Sequence, residues 1–448
     1  MRFVPVVLYT DALLWLLVIG LAIYGWTCAR RPHLAAPWRR VFQSRAALAS
    51  GAILVVFIAI GLADSLHFRR PPSIAEQSLL DLALAHLRER GEKTYSAPLA
   101  TRLYAKEQVE APGGKTVRDY PRLRYGGSHL QNEADAARDI AWLSTRGLIV
   151  SAILGVLLYL LFSGMLRRKF PHVPWGAGWI ALGVVLALAG PALSLSQHWH
   201  VLGTDKVGND VLFQALKSIR TSLVIGTLTT LVLLPLGIAL GIAAGYFKGW
   251  VDDVIQYVYT TLNSIPGVLL IAAAVLMMQV VIDRNPEWFA TAAQRADFRL
   301  LILCAILGLT SWTGLARLLR GEALKLSQLE YIQAAHAFGV SNARILGRHI
   351  LPNVAHIVII AMVMDFSGLV LAEAVLSYVG VGVDPATTSF GTMINAARLE
   401  MGREPIVWWS LAAAFFFMFI LVLAANLFAD AVRDGFDPRV RVGGLVTA

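Results

Sequence analysis

Four polar side chains stand inside long apolar stretches, where they could bind a polar ligand. Asn263 and Ser264 come just before a Pro-Gly pair that predicts a helix kink, and Asp365 and Glu373 are eight residues apart in a later stretch. On one helix these two carboxylates lie about 12 Å apart along the axis and project to similar sides. Polar groups inside a membrane are costly and usually face protein or water. For each residue two interpretations stay open: it lines a solute path, or it forms a hydrogen bond between helices.

Two other patterns look like functional sites but lack a required feature. Gly113-Gly114-Lys115-Thr116 looks like the end of a phosphate-binding loop, but the glycine needed five residues before Gly114 is replaced by Val109. His198 and His200 are two residues apart, a spacing that does not place both on one helix face. We therefore predict no catalytic residue, no metal site and no cofactor, and any nucleotide chemistry would have to come from a partner.

The elements that must position these residues are membrane helices. Of the 448 residues, 57% are hydrophobic and 15% are charged, and the mean hydropathy is +0.62. Apolar runs of roughly 18 or more residues recur, which is the length that crosses a ~30 Å hydrocarbon core as a helix. The sequence thus predicts an all-α, polytopic membrane protein with about nine transmembrane helices. The predicted spans are 6–29, 46–64, 147–166, 177–196, 221–244, 254–282, 300–318, 354–378 and 406–430.

Basic residues indicate how these helices are oriented. The segments 30–45 and 167–169 hold arginine and lysine without any acidic residue. Such segments concentrate on the cytoplasmic side, which predicts an outer N-terminus and an inner C-terminus. The net charge of +10 therefore reflects orientation and does not indicate nucleic-acid binding. Segment 67–146 is charged and has no long apolar run, so we predict an outer loop there, with one amphipathic helix over 75–92.

The most informative cytoplasmic segment is the loop 319–353. Ser327 and Glu330 have the spacing of a helix capping box, the alanines that follow favour a short helix, and Gly339 is placed to end that helix in a left-handed conformation. A second short helix is predicted from about Ser341 to Ile350. Taken alone, this hairpin is either a surface that docks on another protein or an ordinary solvated loop.

The loop resembles the signature loop of binding-protein-dependent ABC transporter permeases. Gln333-Ala334-Ala335, three residues and then Gly339 match the Glu-Ala-Ala and Gly of that signature, and Ile350-Leu351-Pro352 matches its end. Gln333 replaces the usual Glu and so removes a charge from that position. The resemblance implies a coupling helix that docks on an ATPase subunit. The residues it assigns to this contact are Tyr331, Gln333, Ala334, Ala335, Phe338, Gly339 and Arg344.

The resemblance extends over about 200–441, to the C-type permease of dipeptide, oligopeptide and nickel importers. Leu202-Gly203-Thr204-Asp205 and Gly208-Asn209-Asp210 are similar to the segment before the family's core spans, with Asn209 in place of the usual Arg. Further similar segments follow in the family's order. They are Ala243 to Asp253, Trp312 to Arg317, Glu373 to Gly382 and Arg433 to Arg439.

The first part of the chain departs from the family, which usually has one span before this segment. We therefore predict four parts: two extra N-terminal spans in 1–66, a charged periplasmic loop in 67–146, a third span with a basic loop in 147–175, and a permease core of six helices in 176–448.

The resemblance implies a permease subunit that carries peptides across the bacterial inner membrane by alternating access. Its implied partners are a second permease subunit in a heterodimer, cytoplasmic ATP-binding subunits, a periplasmic substrate-binding protein and the membrane lipid. Nickel, opines and sugars stay open as other substrates. A secondary transporter is the alternative of another class, and it would usually show inverted repeats with broken helices at matching positions.

Overall fold

The structure is a computed structural model, and it describes residues 4–69, 76–110 and 116–437. These residues are mainly helical, which confirms the predicted all-α class. In this part of the chain nine helical segments are long and apolar enough to cross a membrane, and each overlaps one of the nine predicted spans. They are Tyr9–Arg30, Arg45–Asp64, Glu133–Lys169, Trp175–Leu195, Val211–Phe247, Gly267–Arg284, Ala292–Leu326, Asn342–Val379 and Trp409–Phe436.

Among the described residues, five short strands lie in the first part of the chain, and all elements after Asp119 are helical. In chain order the α-helices are α1 Tyr9–Arg30, α2 Pro32–Val41, α3 Arg45–Asp64, α4 Leu79–Ala83, α5 Ala85–Arg88, α6 Ala136–Lys169, α7 Trp175–Leu195, α8 Val211–Phe247, α9 Gly249–Ser264, α10 Gly267–Arg284, α11 Ala292–Ser311, α12 Thr313–Leu326, α13 Glu330–Ala337, α14 Asn342–Ile345, α15 Leu351–Val379, α16 Phe390–Glu400 and α17 Trp409–Phe436. The strands are β1 Val4–Val6, β2 His67–Arg69, β3 Glu76–Ser78, β4 Glu107–Glu110 and β5 Thr116–Asp119.

The predicted kink in the sixth span is a complete break. Helix α9 ends at Ser264, and α10 begins at Gly267. Ile265 has extended backbone angles, and Pro266 caps the second helix. A proline cannot donate to the helical ladder, so the chain leaves one helix and starts another.

The described residues divide into two compact units. Unit 1 contains those that lie within Met1–Val7, Phe42–Ser222 and Pro385–Leu427. Unit 2 contains those that lie within Leu8–Val41, Leu223–Asp384 and Phe428–Ala448.

In unit 1, the helices α3, α6 and α7 pack side by side. Gly147 of α6 lies against Gly190 of α7 so closely that a Cβ at Gly147 would be 2.5 Å from the Gly190 carbonyl oxygen. Small residues at such a crossing allow two membrane helices to approach, since lipid supplies no hydrophobic drive to bring them together.

The loop between α3 and α6 is folded rather than irregular. Strands β1, β2 and β3 form an antiparallel sheet, and β4 pairs with β5. The single amphipathic helix predicted over 75–92 is wrong: two short helices, α4 and α5, are separated at Leu84. Leu84 leaves helical geometry at φ −107° and ψ 25°, and with Leu80 and Leu87 it is buried. These three leucines share one small core with Leu212 and keep the spacing of one helix face, although the two helices are separate.

In unit 2, helix α8 packs closely on α12 at Gly237, Gly241 and Gly245. A Cβ at Gly241 would be 2.6 Å from the carbonyl oxygen of Ala316, and one at Gly245 would be 2.5 Å from that of Arg320. Helix α1 also belongs to this unit, and the backbone N–H of Thr10 donates to Asp297 of α11 at 3.0 Å. Cys28 and Cys304 are free and buried.

Candidate functional site

The predicted docking segment forms helix α13, but the predicted cap is wrong. Ser327 follows α12 directly as its C-cap in helical geometry, where its backbone N–H donates to the Ala323 carbonyl at 2.9 Å and its hydroxyl donates to the Leu324 carbonyl at 2.8 Å. A residue in helical geometry cannot act as an N-cap, which requires an extended backbone. Leu329, with extended backbone angles, precedes α13 instead.

Gly339 ends α13 as predicted. Its φ is +72°, in the left-handed region that favours glycine. The Val340 N–H donates to the carbonyl of Ala335 at 3.0 Å, and the Phe338 N–H to that of Ala334 at 2.9 Å. These bonds satisfy carbonyls that the end of a helix would otherwise leave open.

The second predicted helix, from about Ser341 to Ile350, is not a separate element. The short helix α14 ends at Ile345, a π-helical turn covers Leu346–Ile350, and α15 follows without a break. Pro352 is the second residue of α15, directly after the π-helical turn. The return arm of the hairpin is thus a direct extension of a membrane helix.

Buried isoleucines attach the hairpin to unit 2. Ile332 of α13, Ile345 of α14 and Ile350 of the π-helical turn are each 0% exposed. They share one core with residues of α8, α12 and α15. Fully burying such a side chain contributes about 1.5–3 kcal/mol, so displacement of α13 would strain the helices behind it.

Polar contacts add to this attachment. The hydroxyl of Tyr246, at the end of α8, lies 2.7 Å from His336 Nε2 and 2.9 Å from Asn342 Oδ1, so it joins both arms of the hairpin. Arg320 of α12 makes a bidentate pair with Asp252 of α9, with both N–O distances 2.6 Å. This guanidinium hydrogen bond lowers the pKa of Asp252. The sequence offers no signal for Tyr246, because its partners are about 90 residues away.

The outer face of the hairpin carries most of the predicted contact residues. Phe338 is 86% exposed and Tyr331 is 46% exposed. Exposed aromatic side chains of this kind are enriched at protein interfaces. The other predicted contact residues on this face are Gln333, Ala334, Gly339 and Arg344.

Two of the predicted contact residues make contacts within the hairpin region. Ala335 is partly buried against the core and so faces away from the outer surface. Gln333 Nε2 donates to the Gln328 carbonyl at 3.1 Å. This contact uses the side-chain amide, which the usual Glu does not have.

The four polar residues of the membrane stretches differ in how exposed they are. Asn263 and Ser264 are exposed at the end of α9, and Asn263 accepts a hydrogen bond from Thr313 at 3.2 Å. Asp365 is partly buried in α15. Glu373 is fully buried and accepts a hydrogen bond from Ser377, one turn later, at 2.7 Å. For Glu373 this position favours the interpretation of internal packing over that of path lining.

Two glycines form the turn before α8. Gly203 and Gly208 have positive φ values of 72° and 83°. Asp210 caps α8 by accepting from the backbone N–H groups of Leu212 and Phe213 at 2.9 Å and 3.1 Å.

His200 next to this turn has a role that sequence reasoning missed. Its Nδ1 lies 2.8 Å from Asp210 and its Nε2 lies 3.4 Å from Glu92 of the segment between α5 and β4. Burial alone lowers the pKa of His200, but these two carboxylates outweigh it and raise the pKa to about 9. Glu92 also accepts from the backbone of Arg124 and Tyr125 at 3.0 Å and 2.8 Å. His200 is therefore a charged connection within unit 1.

The pattern that resembled a phosphate-binding loop falls mostly outside the described residues. Gly113, Gly114 and Lys115 are not among them, and Thr116 begins β5. The end of the last family-like segment, Pro438 and Arg439, also lies outside.

Comparison with known proteins gives a family match and curated relatives. Residues 237–442 match the family described as "Binding-protein-dependent transport system inner membrane component". The glutathione transport system permease protein GsiD of Pectobacterium atrosepticum is 34% identical over 248 residues, which are 55% of this chain and 74% of the relative. The oligopeptide transport system permease protein OppC of Mycobacterium bovis is 32% identical over 55% of this chain and 77% of the relative. The dipeptide transport system permease protein DppC of Lactococcus lactis is 30% identical over 54% of this chain and 64% of the relative.

Proposed function

Because the chain belongs to the family of binding-protein-dependent ABC importer permeases, it is a membrane-spanning transport subunit, and we propose that its substrates are peptides. Three relatives are permeases of glutathione, oligopeptide and dipeptide transport systems. These substrates are all short peptides. Their shared chemistry supports a peptide substrate over nickel, an opine or a sugar.

The energy for transport enters through α13, whose outer face docks on a cytoplasmic ATPase subunit. The observation that carries this proposal is the contrast between Ile332, 0% exposed, and Phe338, 86% exposed. An exposed aromatic side chain can enter a groove of a partner, while the buried isoleucine transmits the displacement to the core. Transmission of the movement requires both properties, because a loop without buried side chains would move without displacing the helices behind it.

Further partners follow from the same role. The chain pairs with a second permease subunit in a bacterial inner membrane and receives peptide from a periplasmic binding protein. Residues 176–448 are the transport core, and 1–66, 67–146 and 147–175 are an accessory part. The path for the peptide passes Asn263, Ser264 and Asp365, whose polar groups lie within membrane stretches.

The test is peptide uptake by cells that carry Phe338→Ala. We expect uptake of a labelled di- or tripeptide to fall at least tenfold while the amount of protein in the membrane stays unchanged. The matched control is Phe170→Ala, which removes a 48% exposed phenylalanine beyond the end of α6. Uptake in this control should equal that of the wild type.

Two results would contradict the proposal in different ways. Normal uptake by the Phe338→Ala variant would remove the docking role of α13. Accumulation of nickel, an opine or a sugar by wild-type cells, without accumulation of peptide, would remove the peptide substrate and leave the permease role intact.

A further inference from the structure

Helices α6 and α7 enclose an apolar groove in unit 1, outside the elements that form the coupling hairpin. Its volume is about 510 Å³. Gly155 and Gly183 are among the residues that line the groove. A Cβ added at Gly183 would have no atom within 4 Å. The two helices are in close contact at Gly147 and Gly190. The residues that line the groove do not fill the space between the two helices.

The length of the groove fits a lipid acyl chain. The lining residues of α6 run from Leu148 to Tyr159, which is about 16 Å at 1.5 Å per residue. One leaflet contributes about half of a ~30 Å hydrocarbon core, so a chain of one leaflet fits along this distance. The rings of Tyr159 and Trp179 close one end in an edge-to-face contact with centroids 5.5 Å apart.

Positive charge is concentrated beyond this aromatic end. Arg167 donates to the Tyr159 hydroxyl at 3.0 Å, which places its guanidinium beside the groove. Arg168 and Lys169 follow and are exposed. The sequence has no Asp or Glu between Asp139, in the first turn of α6, and Asp205, so the rest of α6, its connection to α7 and α7 itself contribute no acidic residue beside these three cations.

We propose that this groove binds an anionic phospholipid of the cytoplasmic leaflet. One acyl chain lies between α6 and α7, and the headgroup phosphate contacts Arg167, Arg168 and Lys169. The apolar lining excludes a polar solute, and the cluster of cations selects a lipid with net negative charge. Basic segments at the cytoplasmic ends of membrane helices attract such lipids.

Lipid retention by the full-length chain, purified with its partner subunits, tests the proposal. Native mass spectrometry would compare phosphatidylglycerol with phosphatidylethanolamine of the same acyl chains. We expect the wild type to retain phosphatidylglycerol preferentially. Gly183→Phe should fill the groove and abolish this retention, since the added side chain enters open space. Arg167→Gln should weaken phosphatidylglycerol binding about fivefold and leave phosphatidylethanolamine unchanged.

The matched control is Gly20→Phe in α1. Gly20 is also an exposed helical glycine with no atom within 4 Å of an added Cβ, but it is not part of the groove. Retention in this variant should equal that of the wild type. Ala152→Phe, at another lining position, is a second blocking variant in case Gly183→Phe is not folded.

Three results would overturn the proposal. Equal retention of phosphatidylglycerol by the wild type and by folded blocking variants would show that the groove binds no lipid. Equal affinity of the wild type for both lipids would show that the cations do not select a headgroup. Crosslinking of an Ala152→Cys variant to a helix of the second permease would identify a protein as the occupant.

Discussion

At the scale of single residues, the clearest chemistry lies at His200. A histidine with carboxylates beside both ring nitrogens is held in its charged form, because the two carboxylates together stabilise the imidazolium more than burial penalises it. The connection joins Glu92, in the loop between α3 and α6, to Asp210, the cap of α8. The loop is therefore attached to the start of a membrane helix by a bond whose strength depends on pH.

This dependence has a definite sign. The folded pKa of about 9 is above the ordinary 6.5, so the stabilisation is complete below pH 6.5 and is lost as pH rises through 9. We expect hydrogen exchange at the backbone N–H groups of Arg124 and Tyr125 to accelerate between pH 7 and 9.5, beyond the intrinsic effect of pH. In His200→Gln this extra acceleration should be absent. An identical pH profile in both proteins would contradict the assigned role.

At the scale of elements, the hairpin of α13 and α14 depends on the turn at Gly339. Gly339 has a φ of +72°, and an added Cβ would have no atom within 4 Å. A side chain there would therefore strain the backbone without a steric clash. Gly339→Ala should cost about 1–2 kcal/mol and tilt the return arm, which lowers peptide uptake severalfold.

The π-helical turn offers a matched control for this change. Gly347 also has open space, but its φ is outside the positive range. Gly347→Ala should therefore leave peptide uptake unchanged. Asn tolerates the left-handed region, so Gly339→Asn should reduce peptide uptake less than Gly339→Ala does. Equal effects of the two alanine substitutions would show that left-handed geometry is not what matters.

At the scale of the whole molecule, the orientation of the nine membrane segments can be measured with single cysteines. Cys28 and Cys304 are both buried, so the native protein should react weakly with thiol reagents. Lys93→Cys in the outer loop and Phe338→Cys in the hairpin replace side chains that are 71% and 86% exposed. An impermeant maleimide should label only Lys93→Cys in intact spheroplasts, and both after lysis. Labelling of Phe338→Cys from outside would invert the topology and remove the docking proposal.

Sequence alone determined what depends on neighbours within a few residues. The membrane segments follow from apolar length, because a backbone in lipid must satisfy its own hydrogen bonds. The left-handed end of α13 at Gly339 and the cap of α8 at Asp210 follow from the conformations and hydrogen bonds of those residue types. Ser327 shows where such local reasoning fails, since α12 extends through the preceding residue and prevents capping.

Only the tertiary structure decided which side each residue faces and which distant residues meet. Tyr331 and Ile332 are adjacent in sequence, yet one is 46% exposed and the other is fully buried. Tyr246 reaches His336, and Glu92 reaches His200, across about a hundred residues of chain. Such pairs depend on how helices pack after they form, and no local pattern specifies that packing. The surface that docks and the core that responds are therefore properties of the fold.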